Sequence, residues 1–446
     1  MRCLKPTSRR TFLKTSLAAA APVLIDTPAP IRGEAHFSPP NPVRVGYIGV
    51  GRRAAQLMKL PDSAVITAFS DLNPERLSTM HKKYPATKTF LDYREMITSG
   101  EVDAVVVATP DHWHALPAIH ACQEGKHVYV EKPLSLTVAE GRAMVTAARK
   151  YGVTFQCGSQ QRSMKSCQTG CHIVREGLLG KIATIHGANY PSPWDCDLPE
   201  ESPPADLNWD MWCGQTTPRG YHRDLYLPRA DGRTYKDGRP LGWISYTPYS
   251  GGEMTGWGAH GLDIVQWALG KDLSGPVEVW PEPDAVAESA VFFGKRFDPK
   301  KWPEGKKLIC PVSFRYDDGT ILRLDGKGPG GGALFEGEKG TILIDRGQYK
   351  YTLADGTTKE ESEPKGEDDT KAHLANWIDA IRNQTPPAAD VEMGHRSATV
   401  CHLGNIARWT GRKLQWDPAA EQFVNDDEAN AYLKREMRKP WAIEEG

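Results

Sequence analysis

The chain contains a glycine-rich loop and, further along, a carboxylate, and the types and spacing of these residues suggest nucleotide binding. The apolar run at 43–48 leads directly into Gly49-x-Gly51-x-x-Ala54, where a helical pattern begins. Glycines in such a turn let the backbone approach a pyrophosphate at the start of a helix. Asp71 ends the next apolar run, and its distance from Gly51 (71 − 51 = 20) is typical of an acid that binds a ribose hydroxyl. The spacing predicts a dinucleotide site.

The carboxylate of Asp71 also indicates which dinucleotide is bound. Its charge favours the free 2′-hydroxyl of NAD and repels the 2′-phosphate of NADP. Arg52, Arg53 and Arg76 weaken that preference, because guanidinium groups can pair with a phosphate. We expect NAD as the cofactor, with NADP as the less favoured alternative.

A lysine at the end of a later apolar run supplies a second kind of chemistry. The stretch VYVEKPLSLT at 128–137 places Lys132 at the carboxyl edge of a predicted sheet, where ligands of doubly wound folds bind. An ammonium group there can donate to a substrate hydroxyl and stabilise the alkoxide that develops during hydride transfer. Pro133 can hold a cis peptide bond that fixes where the amine points. Lys132 is the candidate catalytic residue.

Short β-branched runs alternate with helical patterns through the first part of the chain. We predict strands at 43–48, 64–69, 103–109, 127–131 and 153–157, and helices at 74–84, 115–125 and 138–152. Continuous apolar strands separated by helices are typical of a parallel sheet covered on both faces. Residues 41–160 are therefore predicted to form a doubly wound α/β domain that binds the dinucleotide.

Residues 161–446 have a different pattern. Between 191 and 250 the chain is rich in Pro, Gly and Trp and has little periodicity; a loop of this length is usually functional or partly disordered. The rest predicts strands at 181–190, 308–316, 319–325, 333–344 (a pair turning at EKG) and 348–353, and helices at 164–178, 371–383 and 392–410. We predict a second, α+β domain with a mostly antiparallel sheet.

The composition excludes several kinds of partner. The chain has 446 residues, is 25% charged and 39% hydrophobic, and carries a formal net charge of −1. That balance gives no basic field for nucleic acid or a membrane surface, and no segment after the N-terminus is apolar enough to cross a bilayer. Among nine cysteines, Cys167 and Cys171 lie near His172, but the chain has neither a CxxC nor an HExxH motif. We predict buried thiols and no metal.

The N-terminus has the features of an export signal. SRRTFLK at 8–14 places Arg9 and Arg10 before an apolar stretch that is far shorter than the roughly 18–20 residues needed to span a bilayer. A twin-arginine pair in this position is typical of the export route for folded proteins. We predict a signal peptide and linker at 1–40 and a periplasmic or other extracytoplasmic location. An uncleaved basic surface helix is the alternative.

As a set, these motifs resemble those of the Gfo/Idh/MocA family, named for glucose–fructose oxidoreductase and inositol dehydrogenase. The resemblance rests on the glycine loop, Asp71, ATPDHWHA at 108–115 and EKP at 131–133, and it extends over about residues 40 to 410. It implies a Rossmann domain, a second domain with a large open sheet used for oligomer contacts, and NAD(P) in the cleft between them. It also implies a sugar, polyol or glycoside substrate and a homo-oligomer, either a dimer or a tetramer.

The resemblance assigns roles to further residues of the first domain. Thr109, Pro110, His114 and Glu131 would line the cofactor together with the glycine loop, and Lys132 would be catalytic.

The family's second motif is only partly present. It has an Asp four residues before a catalytic His; here GGEMTGWGAHGLDIVQWALG at 251–270 supplies His260, but Gly256 stands where the Asp is expected. A histidine can exchange a proton with a sugar hydroxyl near neutral pH, although a purely structural hydrogen bond is the alternative role. Without the Asp, the orientation of His260 must come from elsewhere, and Glu253 and Asp263 are the nearest carboxylates in sequence.

Candidate substrate contacts are Gln161, Arg162, Trp257 and Asp263. In the family, the junction at Gln161 and Arg162 faces the cleft, where a guanidinium can meet a phosphate or a substrate oxygen; an inter-domain salt bridge is the alternative. Trp257 lies three residues before His260, and aromatic faces suit the C–H faces of sugar rings.

Export constrains the mechanism, because a soluble NAD pool is not expected outside the cytoplasm. A cofactor that stays bound must return to its starting state within each cycle. The first hypothesis is an oxidoreductase that oxidises one sugar and reduces another. The alternative is a redox-neutral glycosidase or lyase that oxidises a ring hydroxyl, eliminates the glycosidic group, adds water and reduces again. A non-catalytic carbohydrate-binding protein is the third hypothesis.

Overall fold

The computed structural model describes residues 41–196, 198–226, 242–282, 310–364 and 369–443. The predicted signal peptide and linker at 1–40 lie outside the described residues. None of the described helices is both long and apolar enough to span a bilayer.

The first domain contains a six-stranded parallel sheet flanked by helices. Its elements in chain order are β1 (Val43–Ile48), α1 (Arg52–Leu57), β2 (Ala64–Ser70), α2 (Pro74–Lys83), β3 (Lys88–Phe90), α3 (Tyr93–Thr98), β4 (Ala104–Val107), α4 (Ala115–Gln123), β5 (His127–Val130), α5 (Val138–Lys150) and β6 (Phe155–Cys157). The strand order β3-β2-β1-β4-β5-β6 reverses between β1 and β4, which is where ligands of doubly wound folds bind. The predicted α/β fold is confirmed.

Local sequence explains where these elements begin. All four residues of β4 are buried, as expected for a central parallel strand made of Ala and Val. The side chains of Asn73 and Thr137 cap α2 and α5 by accepting a hydrogen bond from a backbone N–H of the first turn. Gly51 stands at the N-cap of α1 and provides no such acceptor, so the first turn of that helix lacks a side-chain cap.

The second domain is built on a ten-stranded sheet. Its elements are α6 (Lys165–Arg175), β7 (Ile182–Gly187), β8 (Trp194–Asp195), α7 (Trp209–Cys213), α8 (Arg223–Tyr226), β9 (Tyr246–Thr247), α9 (Gly258–Ala268), β10 (Glu278–Pro281), β11 (Val312–Arg315), β12 (Ile321–Leu324), β13 (Ala333–Gly337), β14 (Gly340–Asp345), β15 (Gln348–Leu353), β16 (Thr358–Ser362), α10 (Asp369–Asn383), α11 (Val391–Thr410), β17 (Leu414–Asp417), β18 (Gln422–Phe423) and α12 (Asp427–Ala431).

The order of the large sheet is β16-β15-β14-β13-β7-β12-β11-β10-β17-β18. Within this sheet, β7 pairs with β12 in parallel, and all other neighbouring strands pair antiparallel. Helices α6, α9 and α11 bury their apolar residues against one face of this sheet. The predicted mostly antiparallel sheet is therefore confirmed.

The segment between 191 and 250, which the sequence indicated only as a long irregular loop, has a small core of its own. Its buried members are Cys196, Trp212, Cys213, Leu225, Tyr246 and Tyr249. Trp209 stacks on Trp212 with a ring separation of 4.4 Å. Leu72 of the first domain packs against the same cluster. We call the described residues of this segment the aromatic insert.

Later parts of the chain return to the first domain. Leu374, Trp377 and Ile378 of α10 share a buried cluster with Val43 and Tyr47 of β1. Near the end of the chain, the ring of Trp441 meets that of Trp113 edge-on at 5.0 Å. The core of the first domain is thus completed by residues far beyond position 160.

The cysteines are buried thiols, as predicted. All eight cysteines of the described residues are free and buried. Within the same part of the chain, no three His, Cys, Asp or Glu side chains are grouped as a metal site would require.

Candidate active site

A cavity of about 420 Å³ lies between the carboxyl edge of the parallel sheet, the aromatic insert and α9. Twelve of the predicted site residues line it: Gly49, Gly51, Arg52, Arg53, Asp71, Thr109, Pro110, His114, Glu131, Lys132, Trp257 and His260. The structure therefore brings the dinucleotide motif and both candidate catalytic residues to the same cavity.

The loop after β1 has a backbone conformation that favours glycine at position 49. Gly49 has a φ of +79°, and a Cβ on it would lie 3.0 Å from the carbonyl oxygen of Ala108, so a side chain there would be strained and crowded. Asp71 is held beside this loop, because its carboxylate accepts hydrogen bonds from the backbone N–H groups of Val50 at 2.8 Å and Asn73 at 2.9 Å. The ribose-binding candidate is therefore fixed in position.

Two buried polar atoms at this cavity fit a dinucleotide. Thr109 Oγ1 and Arg53 Nε are both buried, and neither has a hydrogen-bond partner among the described residues. Buried polar atoms are normally paired, so groups of this kind at a cavity indicate a ligand with polar oxygens. The phosphates and hydroxyls of NAD would supply those oxygens.

The carboxylate of Glu131 is engaged by the protein itself. It accepts hydrogen bonds from Arg53 Nη2 and from Gln160 Nε2, each at 2.8 Å. Burial alone would raise its pKa, but Arg53, with a smaller effect from Lys132, lowers the pKa of Glu131 below its ordinary value. Glu131 lines the cavity as an ionised group that anchors Arg53.

The imidazole of His114 also braces the cavity wall. Its Nδ1 lies 2.7 Å from the carbonyl oxygen of Pro133, and its Nε2 lies 3.1 Å from that of Thr109. The ring therefore joins the loops after β4 and β5, and both of its nitrogens are occupied by the main chain.

Lys132 emerges from β5 toward the second domain. The Lys132–Pro133 peptide bond is cis, as the sequence suggested. The ammonium donates to the carbonyl oxygen of Gly256 at 3.4 Å, so the lysine reaches the turn that precedes α9. This contact places the charge of Lys132 at the boundary between the two domains.

His260 lies on α9 at the same boundary, and its side chain is buried. Burial lowers its pKa well below the ordinary value, and the positive charges of Lys132, Arg346 and Arg53 lower it further. A neutral imidazole at a cavity can accept a proton from a hydroxyl group. Its ring centroid is 5.5 Å from that of Trp257, whose side chain is 41% exposed.

The other three predicted substrate contacts do not line the cavity, and those predictions are corrected. Arg162 forms ion pairs with Asp263 at 2.8 Å and Asp272 at 2.7 Å, and the side chains of Arg162 and Asp263 are each 2% exposed. Gln161 is buried and donates to the carbonyl oxygen of Gly331 at 2.6 Å. The salt bridge considered as the alternative for Arg162 is the observed arrangement.

Sequence reasoning missed several cavity residues. Asp111 lies within the motif at 108–115, and its position in that motif was the signal that could have identified it. Arg346 follows β14 in a hairpin turn, and Trp212, Tyr226 and Trp243 belong to the aromatic insert. No spacing rule connects these last four residues to the glycine loop, so only the fold identifies them.

The fold and the cavity define an NAD-binding oxidoreductase of the two-domain type. Residues 43–159 match the family model described as "Oxidoreductase family, NAD-binding Rossmann fold", and residues 168–443 match the one described as "Oxidoreductase family, C-terminal alpha/beta domain". The chain belongs to the Gfo/Idh/MocA family of oxidoreductases.

Three known proteins are similar to this chain. An uncharacterized oxidoreductase of Streptococcus pneumoniae is 26% identical over 385 residues, which are 86% of this chain and 90% of that protein. A glycosyl hydrolase family 109 protein of Shewanella pealeana is 30% identical over 206 residues, 40% of this chain and less than half (45%) of that protein. The solved structure of levoglucosan dehydrogenase in complex with NADH and levoglucosan has a TM-score of 0.58 at 16% identity and covers 84% of this chain and 99% of that one. That last likeness shows the shared fold.

Proposed function

We propose that this enzyme is an NAD-dependent oxidoreductase that acts on a hydroxyl group of a sugar, polyol or glycoside and keeps its cofactor bound. The observation that carries the proposal is that Lys132 and His260 line the same cavity as the glycine loop and Asp71. The carboxylate at position 71 favours NAD over NADP, because it would repel a 2′-phosphate. The levoglucosan complex supports a carbohydrate substrate.

The roles of the residues follow from their charge and position. Bound in the cavity, NAD would supply the acceptor for the hydride. The ammonium of Lys132 donates to the substrate oxygen and stabilises its developing negative charge. The neutral imidazole of His260 accepts the hydroxyl proton, and the exposed ring of Trp257 packs against the C–H face of a sugar.

Retention of the cofactor is supported by the contacts of the aromatic insert. Asn73 Nδ2 donates to the hydroxyl of Tyr226 at 3.1 Å, and the guanidinium of Arg76 lies 5.4 Å from the centroid of the same ring. Trp113 Nε1 donates to the carbonyl oxygen of Trp212 at 2.9 Å. The insert is thus attached to the first domain on the nucleotide side of the cavity. Export by the twin-arginine route, which we propose from residues 8–14, requires such retention.

Two measurements test the proposal. Purified protein is denatured and the supernatant assayed for NAD(H); then intact protein is mixed with a panel of aldoses and polyols while the absorbance of NADH is followed. We expect the supernatant to contain NAD, and we expect at least one sugar to reduce the bound NAD. We expect neither bound NADP nor reduction of NADP. Lys132→Ala should bind the cofactor but not reduce it. Protein that neither contains nor binds NAD contradicts the proposal.

A redox-neutral glycosidase is the second candidate, and the match to the glycosyl hydrolase family 109 protein favours it. In this chemistry, oxidation of a ring hydroxyl makes the neighbouring C–H acidic, and the glycosidic group leaves before water is added. Incubation with 4-nitrophenyl glycosides separates the two candidates. Release of nitrophenol without net NADH formation supports the glycosidase, and NADH formation without nitrophenol supports the oxidoreductase.

A homo-oligomer, dimer or tetramer, is part of the proposal. The face of the large sheet that α6, α9 and α11 leave uncovered carries the partly exposed Leu334 and Leu343, which are paired across β13 and β14. Light scattering of the purified protein measures the oligomeric state directly. A monomer at all concentrations would contradict the proposed homo-oligomer.

A further inference from the structure

The hairpin turn between β14 and β15 brings a positive charge to the cavity. Arg346 belongs to this turn and lines the cavity together with His260, and both residues come from the second domain. The proposed function uses Lys132, His260 and Trp257 and gives no role to the guanidinium of Arg346. A charged group at a sugar-binding cavity indicates which groups the sugar carries.

Close packing through glycines holds this turn against α9. A Cβ on Gly331 would lie 3.1 Å from Arg346 Cβ, so the chain at Gly331 runs directly along the turn. A Cβ on Gly261, which follows His260 on α9, would lie 3.1 Å from the carbonyl oxygen of Gly332. The two neighbouring glycines at 331 and 332 are therefore packed between the turn that carries Arg346 and the helix that carries His260.

The guanidinium of Arg346 is only partly engaged by the protein. Its Nη2 donates to the carboxylate of Asp369 at the start of α10, whereas its Nε and Nη1 make no hydrogen bond to a described residue. Its side chain is 35% exposed, so a ligand can reach it. Lys132 donates to the carbonyl oxygen of Gly256 and has no carboxylate of the described residues within ion-pair distance. One cation here is thus paired on one side, and the other has no close carboxylate.

The cavity wall from the second domain is poor in side-chain acceptors. Among the described residues of that domain that line the cavity, none has a carboxylate or a carboxamide side chain. The acids on the wall, Asp71, Asp111 and Glu131, all come from the first domain. The hydroxyls of a neutral sugar donate as well as accept hydrogen bonds, whereas a carboxylate only accepts them. The wall beside Arg346 therefore suits a substrate that carries a carboxylate.

We propose that the substrate is a sugar acid and that Arg346 binds its carboxylate. One negative charge suits a guanidinium that already shares its charge with Asp369, whereas a phosphate dianion would also draw on Lys132. With the carboxylate at Arg346, Lys132 and His260 remain available to the hydroxyl that is oxidised. The inference rests on the proposed function, because it names the substrate class of the same site.

The first arm of the test compares sugars that differ in this one group. Full-length protein with its own bound cofactor is mixed with glucose or glucuronate, or with galactose or galacturonate, while the absorbance of NADH is followed. We expect the second-order rate constant of NADH formation to be at least about tenfold higher for each uronate, because hydrogen bonds to charged groups are strong. Equal rate constants for uronates and aldoses overturn the inference, as does a faster reaction with glucose 6-phosphate or glucose 6-sulfate.

Variants assign the preference to Arg346. Arg346→Gln should raise the half-saturating concentration of the uronates about 10- to 100-fold and change that of the aldoses less than about twofold. Arg346→Lys keeps the charge and the ion pair with Asp369, so it should retain part of the preference. Lys350→Gln, which removes an exposed cation of β15, should match wild type. A full preference for uronates in folded Arg346→Gln overturns the assignment.

The second arm measures binding without turnover. Calorimetry gives the Kd of glucuronate and of glucose for cofactor-loaded Lys132→Ala, with and without Arg346→Gln. We expect glucuronate to bind at least about tenfold more tightly, and only where Arg346 is present; adding Asp369→Asn instead should tighten its binding. If glucuronate binds in this way but no sugar reduces NAD in wild type, only the proposed function fails. If an aldose reduces NAD and uronates bind no more tightly, only this inference fails.

Discussion

The guanidinium of Arg53 donates to the carboxylate of Glu131 at 2.8 Å and so joins the helix after the glycine loop to the strand end that carries Lys132. Arg53 belongs to α1, whereas Glu131 directly follows β5, and β4 lies between β1 and β5 in the sheet. The pair spans this intervening strand at the cavity. The loop that would bind the cofactor and the candidate catalytic lysine are therefore fixed relative to each other.

Replacing Arg53 tests this connection. Arg53→Ala leaves the carboxylate of Glu131, which is 5% exposed, with Gln160 as its remaining side-chain donor. We expect the free energy of unfolding at neutral pH to fall by about 3 kcal/mol, since an ion that loses its buried partner is costly. Denaturant titrations of wild type, Arg53→Ala and the exposed-site control Lys82→Ala measure the difference.

The same pair has a defined pH dependence. The pKa of Glu131 is lowered in the folded protein. The contribution of ionised Glu131 to the free energy of unfolding is therefore fully present above the ordinary carboxyl pKa and is lost as the pH falls through the lowered pKa. The stability difference between wild type and Arg53→Ala should therefore shrink in acid. A constant difference across that range would show that Glu131 is not the group concerned.

Arg162 should affect stability rather than substrate binding. Its buried guanidinium pairs with the buried carboxylate of Asp263 and the partly exposed carboxylate of Asp272, and none of these three residues lines the cavity. We expect Arg162→Ala to lower the free energy of unfolding by about 3–5 kcal/mol. Arg162→Lys keeps the positive charge, and we expect the folded form of this variant to have an unchanged KM for the sugar. Denaturation and steady-state kinetics separate the two effects. A raised KM without a stability change would restore the substrate-binding prediction.

Position 256 should not accept the family's aspartate. A Cβ on Gly256 would lie 3.1 Å from Glu253 Oε2 and 3.1 Å from Ile244 Cδ1. Gly256→Asp therefore adds both crowding and like charge, and we expect a loss of roughly 1–3 kcal/mol in unfolding free energy together with lower activity. Gly256→Ala measures the loss of stability caused by crowding alone. The double variant Gly256→Asp with Glu253→Gln should recover the part of the loss that is caused by charge repulsion. Equal stability of all three variants would contradict this explanation.

Tyr226 should slow the release of the cofactor. Its ring lies under Arg76, and its hydroxyl accepts from Asn73. A cation–π contact and a hydrogen bond each contribute about 1 kcal/mol, so loss of both in Tyr226→Ala should speed NAD dissociation by up to about thirtyfold, and Tyr226→Phe by less. Stopped-flow displacement measures the rates, with Tyr432→Ala, on the exposed surface, as the control. An unchanged rate would mean that the insert does not retain the cofactor.

The residues that sequence alone could identify are those tied to a repeating local pattern. Strand β1 was predicted with the bounds that the structure has, because its apolar run ends at a glycine turn. Strand β3, with the sequence KTF, was missed, because two of its three residues are exposed and carry no apolar periodicity. Strand β16 is likewise mostly exposed, so its pairing with β15 is visible only in the fold.

The candidate site likewise contains residues that local sequence patterns identify and residues that only the fold identifies. Gly49, Asp71 and Lys132 each lie just after a parallel strand, so their strands bring them to one edge of the sheet whatever the rest of the chain does. Arg162 and Asp263 were misassigned because partners 101 residues apart in sequence cannot be inferred from local spacing. Tyr226 and Arg346 reach the cavity through an irregular insert and a hairpin turn, where no periodicity predicts direction.

The burial of α10 against β1 has a consequence for how the protein is made. Leu374, Trp377 and Ile378 cover Val43 and Tyr47, and the chain leaves the ribosome from its N-terminus. The earliest strand to emerge must therefore wait for more than three hundred further residues before its apolar surface is covered. Nascent chains cut short before α10 should be recognisable by chaperones and proteases as incomplete. Closure of the nucleotide domain thus reports that synthesis is nearly finished.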